Sequence, residues 1–215
     1  MSDESIRILL VDDHPLMRRG LRDLLEMEDD LQPVGEAGNG EDALRLAAEL
    51  EPDLVIMDLN MPGMDGLETL RKMRDAGIDA RILIFTVSDD QDHVLEALRN
   101  GADGYLLKDM NPDLLADQVR QAASGRMALT PELAMVLAEA IRERPRHPQQ
   151  VQASSLTKRE KEVLRLIAKG NSNKMIGRKL GITEGTVKVH VKNLLNSLQL
   201  RSRVEAAVWA LEHLP

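Results

Sequence analysis

The stretch Leu54-Val55-Ile56-Met57-Asp58 decides the fold that this sequence predicts. The run is apolar, contains two β-branched residues and is too short for a helix, so it indicates a buried strand that ends on a carboxylate. An earlier apolar run, 8–11, ends in the same way on Asp12-Asp13. Parallel sheets bind their ligands beside the carboxyl ends of the strands. We therefore expect these carboxylates to share one crevice.

Strand and helix patterns alternate on both sides of that stretch. Strands are predicted at 6–11, 33–37, 54–57, 81–86 and 104–107, and helices follow them from Pro15 and at 41–50, 65–76, 92–99 and 112–124. Five such alternations indicate an α/β fold, a doubly wound five-stranded parallel sheet with helices on both faces. The switch point of such a sheet lies beside its first and third strands, which are the strands that end on the carboxylates.

The charge distribution divides the chain. Residues 155–215 contain 12 Lys and Arg against 5 Asp and Glu, whereas the preceding 154 residues contain 16 against 31. An acidic part joined to a basic part indicates two functions, with polyanion binding in the second. Pro, Gln and Ser between positions 145 and 155 are typical of a linker. We predict domains at 1–126 and 155–215, joined by a linker at 127–154 that contains one helix at about 130–144.

The basic segment is helical throughout and predicts an all-α domain. Thr157-Lys-Arg-Glu160 has the pattern of a capping box, and further helices are predicted at 173–180, 184–198 and 202–211. Two helices joined by a short turn that contains Gly181 form a helix-turn-helix. On the helix at 184–198, Lys188, Val189 and Lys192 share the face turned away from the core, which suits the major groove of double-stranded DNA. Contacts to DNA phosphates are predicted for Lys174, Arg178, Lys179 and Thr186.

Composition excludes several classes of protein. The chain has no cysteine, so disulfides, thiolate zinc sites and cysteine nucleophiles are excluded. Three aromatic residues are too few for a platform that stacks single-stranded nucleic acid. No apolar run is long enough to span a bilayer. We expect a cytoplasmic protein without a membrane partner.

The rim of the predicted sheet combines groups that suit phosphoryl transfer to a carboxylate. Three converging carboxylates repel one another unless a cation lies between them, and Mg²⁺ prefers oxygen ligands. Lys108 ends the fifth strand and Thr86 the fourth, so an ammonium and a hydroxyl lie on the same rim. Positioning and neutralisation of charge are the main requirements of this chemistry.

Residues 6–124 resemble the receiver domain of two-component response regulators, which has a flavodoxin-like fold. The resemblance rests on Asp12-Asp13, Asp58, Thr86, Tyr105 and Lys108. It implies that Asp58 is the phosphoacceptor and that Asp13, Asp58 and the carbonyl of Asn60 bind Mg²⁺, with Asp12 assisting through water. It also implies that Thr86, Tyr105 and Lys108 form the phosphorylation switch, in which Tyr105 rotates into space that Thr86 vacates. Asp109 replaces the proline common after this lysine, so no cis peptide bond is expected.

Residues 155–211 resemble the LuxR-type helix-turn-helix of the NarL/FixJ class of response regulators. The matching strings are Leu156-Thr157-Lys-Arg-Glu160, Asn173-Lys-Met-Ile176, Thr186-Val-Lys-Val-His-Val-Lys192 and Arg203-Val-Glu-Ala-Ala207. Within the class, the strings 60–70, 101–110 and 188–192 are most similar to the regulators that respond to nitrate and nitrite. The resemblance implies a sensor histidine kinase and RNA polymerase as partners, and a homodimer on DNA with 202–211 as the contact.

The sequence leads to one hypothesis and two alternatives. The hypothesis is a transcription regulator in which phosphorylation of Asp58 relieves masking of Lys188 and Lys192 by the acidic domain. The first alternative is a magnesium-dependent phosphohydrolase with Asp58 as its nucleophile. The second is a DNA-binding protein that does not depend on phosphorylation and uses its first domain as a docking module. Within the hypothesis itself, a regulator of the same class that responds to a signal other than nitrate or nitrite also stays open.

Overall fold

The structure is a computed structural model that describes residues 5–124, 128–129, 156–169, 171, 173–198, 200 and 203–213. The predicted helix at about 130–144 and most of the predicted linker lie outside these residues. The proposed division at 126 and 155 therefore stays a prediction. None of the described helices has both the length and the apolar character that crossing a membrane requires.

The sheet consists of parallel strands in the order β2-β1-β3-β4-β5-β6. Their bounds are Ile6–Val11 (β1), Leu31–Ala37 (β2), Leu54–Met57 (β3), Arg81–Thr86 (β4), Gly104–Leu107 (β5) and Ala128–Leu129 (β6). The five predicted strands are confirmed, with β2 beginning two residues earlier than predicted. The sixth was not predicted, because two residues carry no periodicity and only the pairing with β5 makes them a strand.

The helices of the first domain are Pro15–Glu26 (α1), Gly40–Leu50 (α2), Gly66–Asp75 (α3), Gln91–Arg99 (α4) and Pro112–Ala123 (α5). The bounds predicted for them were right to within one residue. The differences arise partly at the caps: Asp65, predicted as helical, is the N-cap residue of α3, and its side chain accepts a hydrogen bond from the amide of Glu68. Asp90 caps α4 in the same way, one residue before the helix begins.

Strand β3 is buried on both faces of the sheet. Leu54 and Ile56 pack in the core on one face, and Val55 and Met57 pack in the core on the other. A strand covered on both faces has an uninterrupted apolar sequence, as this one has. Asp58 comes directly after this strand, at the edge where the side chains turn from apolar to charged.

Glycine at position 66 allows α3 to begin directly against the backbone of Asp58 and Leu59. A Cβ atom at Gly66 would lie 2.3 Å from the carbonyl oxygen of Asp58 and 2.7 Å from the Cα of Leu59. The amide of Gly66 donates to the carbonyl of Leu59 over 2.9 Å. The close approach fixes the loop that follows Asp58.

The second domain contains the helices Lys158–Ala168 (α6), Asn173–Leu180 (α7), Glu184–Leu198 (α8) and Arg203–His213 (α9) around its own core. The predicted all-α domain and its helix-turn-helix, α7–α8, are therefore confirmed. The capping box is present: Thr157 accepts from the amide of Glu160, and the Glu160 carboxylate accepts from the amide of Thr157. At Gly177 a Cβ atom would lie 2.7 Å from the carbonyl oxygen of Ile182, so glycine permits the tight turn.

A buried ionic network holds the opposite, amino-terminal ends of β4 and β5. Asp103 accepts from Arg74 (2.8 Å), from Arg81 (2.7 Å) and from the amide of Ile82 (3.0 Å). Arg74 also donates to the carbonyls of Gly101, Ile78 and Ala80. Burial alone raises the pKa of Asp103, but the two guanidinium groups outweigh burial and hold that pKa below its ordinary value.

We expect Asp103→Asn to lower the free energy of unfolding at neutral pH by roughly 3–5 kcal/mol, because two guanidinium groups lose their buried counter-charge. The folded-state pKa of Asp103 is lowered, so its contribution is complete above about pH 4 and is lost as the pH falls through that pKa. Urea unfolding followed by circular dichroism between pH 7 and pH 3 measures both effects. Asp23→Asn, an exposed change on α1, is the control and should shift stability by about 0.5 kcal/mol or less. Equal effects of the two substitutions would contradict the role given to Asp103.

Candidate functional site

The sheet register brings the predicted carboxylates together. The amide of Asp58 donates to the carbonyl of Val11 over 2.9 Å, and the amide of Asp12 donates to the carbonyl of Ala37 over 3.1 Å, so the ladder continues to the strand ends. One oxygen each of Asp12, Asp13 and Asp58 and one ring nitrogen of His14 lie within 4.8 Å of one another. The predicted acidic crevice is therefore present.

Lys108 connects two of these carboxylates. Its Nζ lies 2.6 Å from Oδ2 of Asp12 and 2.7 Å from Oδ2 of Asp58, and its side chain is only 6% exposed. Burial alone lowers the pKa of Lys108, but the hydrogen bonds to Asp12 and Asp58 raise it above its ordinary value. The ammonium therefore stays charged throughout the physiological pH range. The common position of Lys108 and Asp58, predicted from the strand ends, is observed as a direct ion pair.

Two carboxylate oxygens of the crevice lack a hydrogen-bond donor among the described residues. They are Oδ1 of Asp58 and Oδ1 of Asp13, and both atoms are buried. One ammonium faces three carboxylates, so negative charge is left in excess. Buried oxygens without donors and uncompensated negative charge suit a hard divalent cation with oxygen ligands. The residues present therefore fit Mg²⁺.

His14 is a member of the crevice for which the sequence predicted no role, since it directly precedes the helix predicted from Pro15. It is the N-cap residue of α1, and its Nδ1 lies 2.7 Å from Oδ1 of Asp13 without the geometry of a hydrogen bond. Its amide donates to Oδ1 of Asp12 over 2.8 Å. The signal available in the sequence was its position directly after the acidic pair. Asn60 is exposed, and its predicted carbonyl contact with a cation stays a prediction.

Thr86 and Tyr105 meet at Ser88, in the loop between β4 and α4. The buried hydroxyl oxygen of Thr86 accepts a long hydrogen bond, 3.5 Å, from the amide of Ser88. The hydroxyl of Tyr105 donates to the carbonyl of Ser88 over 2.8 Å. Burial raises the pKa of Tyr105 to about 12, so the phenol remains a donor.

The predicted motion of Tyr105 stays a prediction. Its side chain is already fully buried, in the core between the sheet and its helices. The predicted rotation into space vacated by Thr86 therefore does not start from an outward position here. The sequence showed a strand aromatic near Lys108, but not that its hydroxyl has a backbone acceptor inside the fold. The backbone does link these positions, since the amide of Lys108 donates to the carbonyl of Thr86 over 2.8 Å.

The peptide bonds of the described residues are all trans, as expected after Lys108.

Helix α8 presents the predicted basic face to solvent. Lys188, Val189 and Lys192 are exposed, whereas Val187, Leu194 and Leu198 are buried in the core. The predicted orientation of the helix is therefore confirmed. Because the three exposed side chains are uncovered, the structure does not show the masked arrangement of the hypothesis, and masking stays a prediction.

The other predicted DNA contacts differ in their surroundings. Arg178 is exposed on α7. The ammonium of Lys179 donates to Oδ1 of the buried Asn171 over 2.6 Å, so this lysine also has an internal structural role. The hydroxyl of Thr186 lies 2.8 Å from that of Thr183 and remains at the surface. Lys174 belongs to α7, and its side chain lies outside the described part of the structure.

Comparison with known proteins agrees with this geometry. Residues 8–120 match the response regulator receiver domain, and residues 154–210 match the LuxR family of bacterial regulatory proteins. The chain is 51% identical over 208 residues to the nitrate/nitrite response regulator protein NarL of Escherichia coli K12, covering 97% of this chain and 96% of that protein. It is 44% identical over 209 residues to the nitrate/nitrite response regulator homolog of Haemophilus influenzae, covering 97% and 98%.

A solved structure of similar length shares the fold. The crystal structure of the response regulator ChrA, from a heme-sensing two-component system, superimposes with a TM-score of 0.53 at 36% identity and covers 97% of each chain. Both halves of the sequence thus match known domains in the same order. The chain therefore belongs to the two-component response regulators that join a receiver domain to a LuxR-type helix-turn-helix, the NarL/FixJ class.

Proposed function

We propose that this chain is a transcription regulator in which phosphorylation of Asp58 by a sensor histidine kinase controls DNA binding by α8. The observation that carries the proposal is the state of the Asp58 carboxylate. Its Oδ2 is held by Lys108, while its Oδ1 is buried without a hydrogen-bond donor in the described structure. The relatives are regulatory proteins, and the chain acts as a regulator rather than as an enzyme with an external substrate.

The proposed reaction is an in-line displacement at phosphorus. A lone pair of Asp58 Oδ1 forms the new P–O bond, the P–N bond of a phosphohistidine in the kinase breaks, and its electron pair leaves with the imidazole nitrogen. Lys108 stays protonated and compensates charge on the acceptor oxygen and on the transferred group. Hydrolysis of the resulting acyl phosphate returns the carboxylate.

The proposed cation ligands are the side chains of Asp13 and Asp58 and the carbonyl of Asn60, with Asp12 acting through water. The buried oxygens without donors on Asp13 and Asp58 support this assignment. When bound, Mg²⁺ supplies positive charge between the carboxylates and the phosphoryl oxygens and thereby reduces their repulsion.

The switch is proposed to run through the loop at Ser88. A phosphoryl group on Asp58 offers new acceptor oxygens, and the hydroxyl of Thr86 can donate to one of them. Thr86 now accepts from the amide of Ser88, and Tyr105 donates to the carbonyl of the same residue. A shift of Thr86 would therefore reach Tyr105 and the start of α4 through one loop, with Tyr105 already inside the fold.

The proposed partners are double-stranded DNA, a second copy of the chain and RNA polymerase. DNA recognition by Lys188, Val189 and Lys192 implies a cytoplasmic protein that binds paired half-sites as a homodimer, with the segment 202–211 as its contact and RNA polymerase as a further partner. The names of the 51% and 44% identical relatives support nitrate and nitrite as the signal. Genes of anaerobic respiration are the corresponding targets.

Phosphorylation at Asp58 is tested with a small acyl phosphate, acetyl phosphate, as the donor in the presence of Mg²⁺. The full chain should become phosphorylated, and Asp58→Asn should reduce labelling at least 100-fold because the amide is not a nucleophile for phosphorus. Chelation of Mg²⁺ by EDTA should have a comparable effect. A gel that retards phosphoproteins measures both. The control is Asp109→Asn, an exposed carboxylate next to Lys108, which should label as the wild type does. Labelling of Asp58→Asn at the wild-type rate would exclude this acceptor.

The DNA interface is tested by the salt dependence of binding. If Lys188 or Lys192 contacts a phosphate, its replacement by alanine should lower the slope of log K against log salt concentration by about 0.9, whereas loss of a base contact costs about 1–3 kcal/mol with less change in slope. Fluorescence anisotropy with a bound duplex measures both quantities. Lys158→Ala, an exposed lysine on α6, is the control. If Lys188→Ala and Lys192→Ala both bind with the same affinity and slope as the wild type and Lys158→Ala, α8 is not the recognition helix.

A further inference from the structure

Arg18 on α1 contacts the backbone of the acidic crevice, although it belongs to none of the motifs discussed above. Its Nη1 donates to the carbonyl oxygen of Asp12, and its Nε donates to Oε2 of Glu36 on β2 over 3.3 Å. Only 17% of the Arg18 side chain is exposed. The guanidinium group therefore joins α1 to the ends of β1 and β2.

This contact completes the hydrogen bonding of Asp12. The amide of Asp12 donates to Ala37, its Oδ1 accepts from the amide of His14, and its Oδ2 accepts from Lys108. Its carbonyl oxygen is the remaining polar group, and Arg18 is its donor. All four polar groups of a residue that is 4% exposed are thus satisfied, which holds it in one orientation.

The carbonyl of Asp12 belongs to the same planar peptide unit as the nitrogen and Cα of Asp13. A donor that fixes this oxygen therefore also constrains the N–Cα bond of Asp13, the axis about which the Asp13 side chain turns. Asp13 supplies one of the two buried crevice oxygens that lack a hydrogen-bond donor among the described residues, and Asp58 supplies the other. Arg18 thus acts on the orientation of a proposed cation ligand without touching it.

The charge of Arg18 does not explain its position. A guanidinium group beside a cation site repels the cation, so as a charge alone it would weaken binding. Glu36 lies against it and compensates part of that charge. What arginine provides here is its planar fork, which reaches a backbone carbonyl and a carboxylate at once, whereas a lysine ammonium is a point donor on a flexible stem.

We infer that Arg18 is a positioning residue that preorganises Asp13 for divalent cation binding through the Asp12–Asp13 peptide. The inference rests on the proposed Mg²⁺ site. Groups that orient the ligands of a metal, without binding the metal themselves, typically change its affinity 10–100-fold when they are removed. Positioning and charge predict opposite signs: without Arg18 the affinity for Mg²⁺ falls if the residue positions Asp13, and rises if it acts only as a charge.

The test is a Mg²⁺ titration of the ¹⁵N-labelled full chain, followed by the backbone amide signals of the crevice, for the wild type, Arg18→Met and Arg19→Met. Arg18→Met keeps much of the apolar stem but loses the fork, and we expect the dissociation constant for Mg²⁺ to rise about 10-fold. Arg19→Met, which removes an exposed arginine from the same helix, should bind as the wild type does. If the dissociation constant of Arg18→Met for Mg²⁺ is equal to or lower than that of the wild type, the inference is overturned.

Unfolding measurements and additional variants separate an effect of Arg18 on Mg²⁺ affinity from an effect on folding. Urea unfolding without Mg²⁺ separates a loss of stability from a loss of affinity, since a merely structural role leaves the affinity of the folded protein unchanged. If Arg18→Met does not fold, Arg18→Lys is judged by the same criterion: weaker binding supports the inference and wild-type binding overturns it. Asp13→Asn shows whether the proposed site itself exists. If wild type and Asp13→Asn give the same titration, the magnesium proposal has failed and the inference about Arg18 falls with it.

Discussion

The ion pair that Lys108 forms with Asp12 and Asp58 is the interaction on which the functional site depends. Three carboxylates converge at the strand ends, and two of them, Asp12 and Asp58, are almost fully buried. A buried carboxylate lowers the stability of the folded state unless a nearby positive charge compensates it. Because β4 lies between β3 and β5, and β1 lies beyond β3, the lysine must reach across two strand ends to contact both carboxylates. A long, charged side chain at the end of β5 is therefore a structural requirement as well as a counter-charge for a phosphoryl group.

The same rim connects chemistry to conformation. The backbone of Lys108 is bonded to the carbonyl of Thr86, and Thr86 and Tyr105 both bond to the backbone of Ser88. A change at Asp58 can therefore act on the loop before α4 through direct contacts. On the other flank of the crevice Arg18 and Glu36 hold the β1 end. The strand ends are thus constrained on both sides, whereas Oδ1 of Asp58 has no hydrogen-bond donor in the described structure.

The sequence predicted those features that follow from periodicity and from strand ends. Both-face burial makes β3 an uninterrupted apolar run, and parallel pairing then places Asp12, Asp58 and Lys108 on one rim. The sequence did not predict features that depend on three-dimensional contacts between residues distant along the chain. The hydroxyl of Tyr105 finds its acceptor at Ser88, Lys179 finds Asn171, and Ala128–Leu129 becomes a strand only by pairing with β5. His14 was missed because its position before a proline indicated a helix start, which it also is.

Occupation of Asp58 is proposed to control the DNA affinity of α8. The most direct measurement is the affinity of the full chain for a duplex enriched from random sequence by the wild type, with and without Mg²⁺ and beryllofluoride, a tetrahedral mimic of the phosphoryl group. We expect the wild type to bind the duplex about 5-fold to 150-fold more tightly with the mimic, and Asp58→Asn to show no change. An affinity of the wild type that does not respond to the mimic, or an equal response in Asp58→Asn, would contradict control of α8 by Asp58.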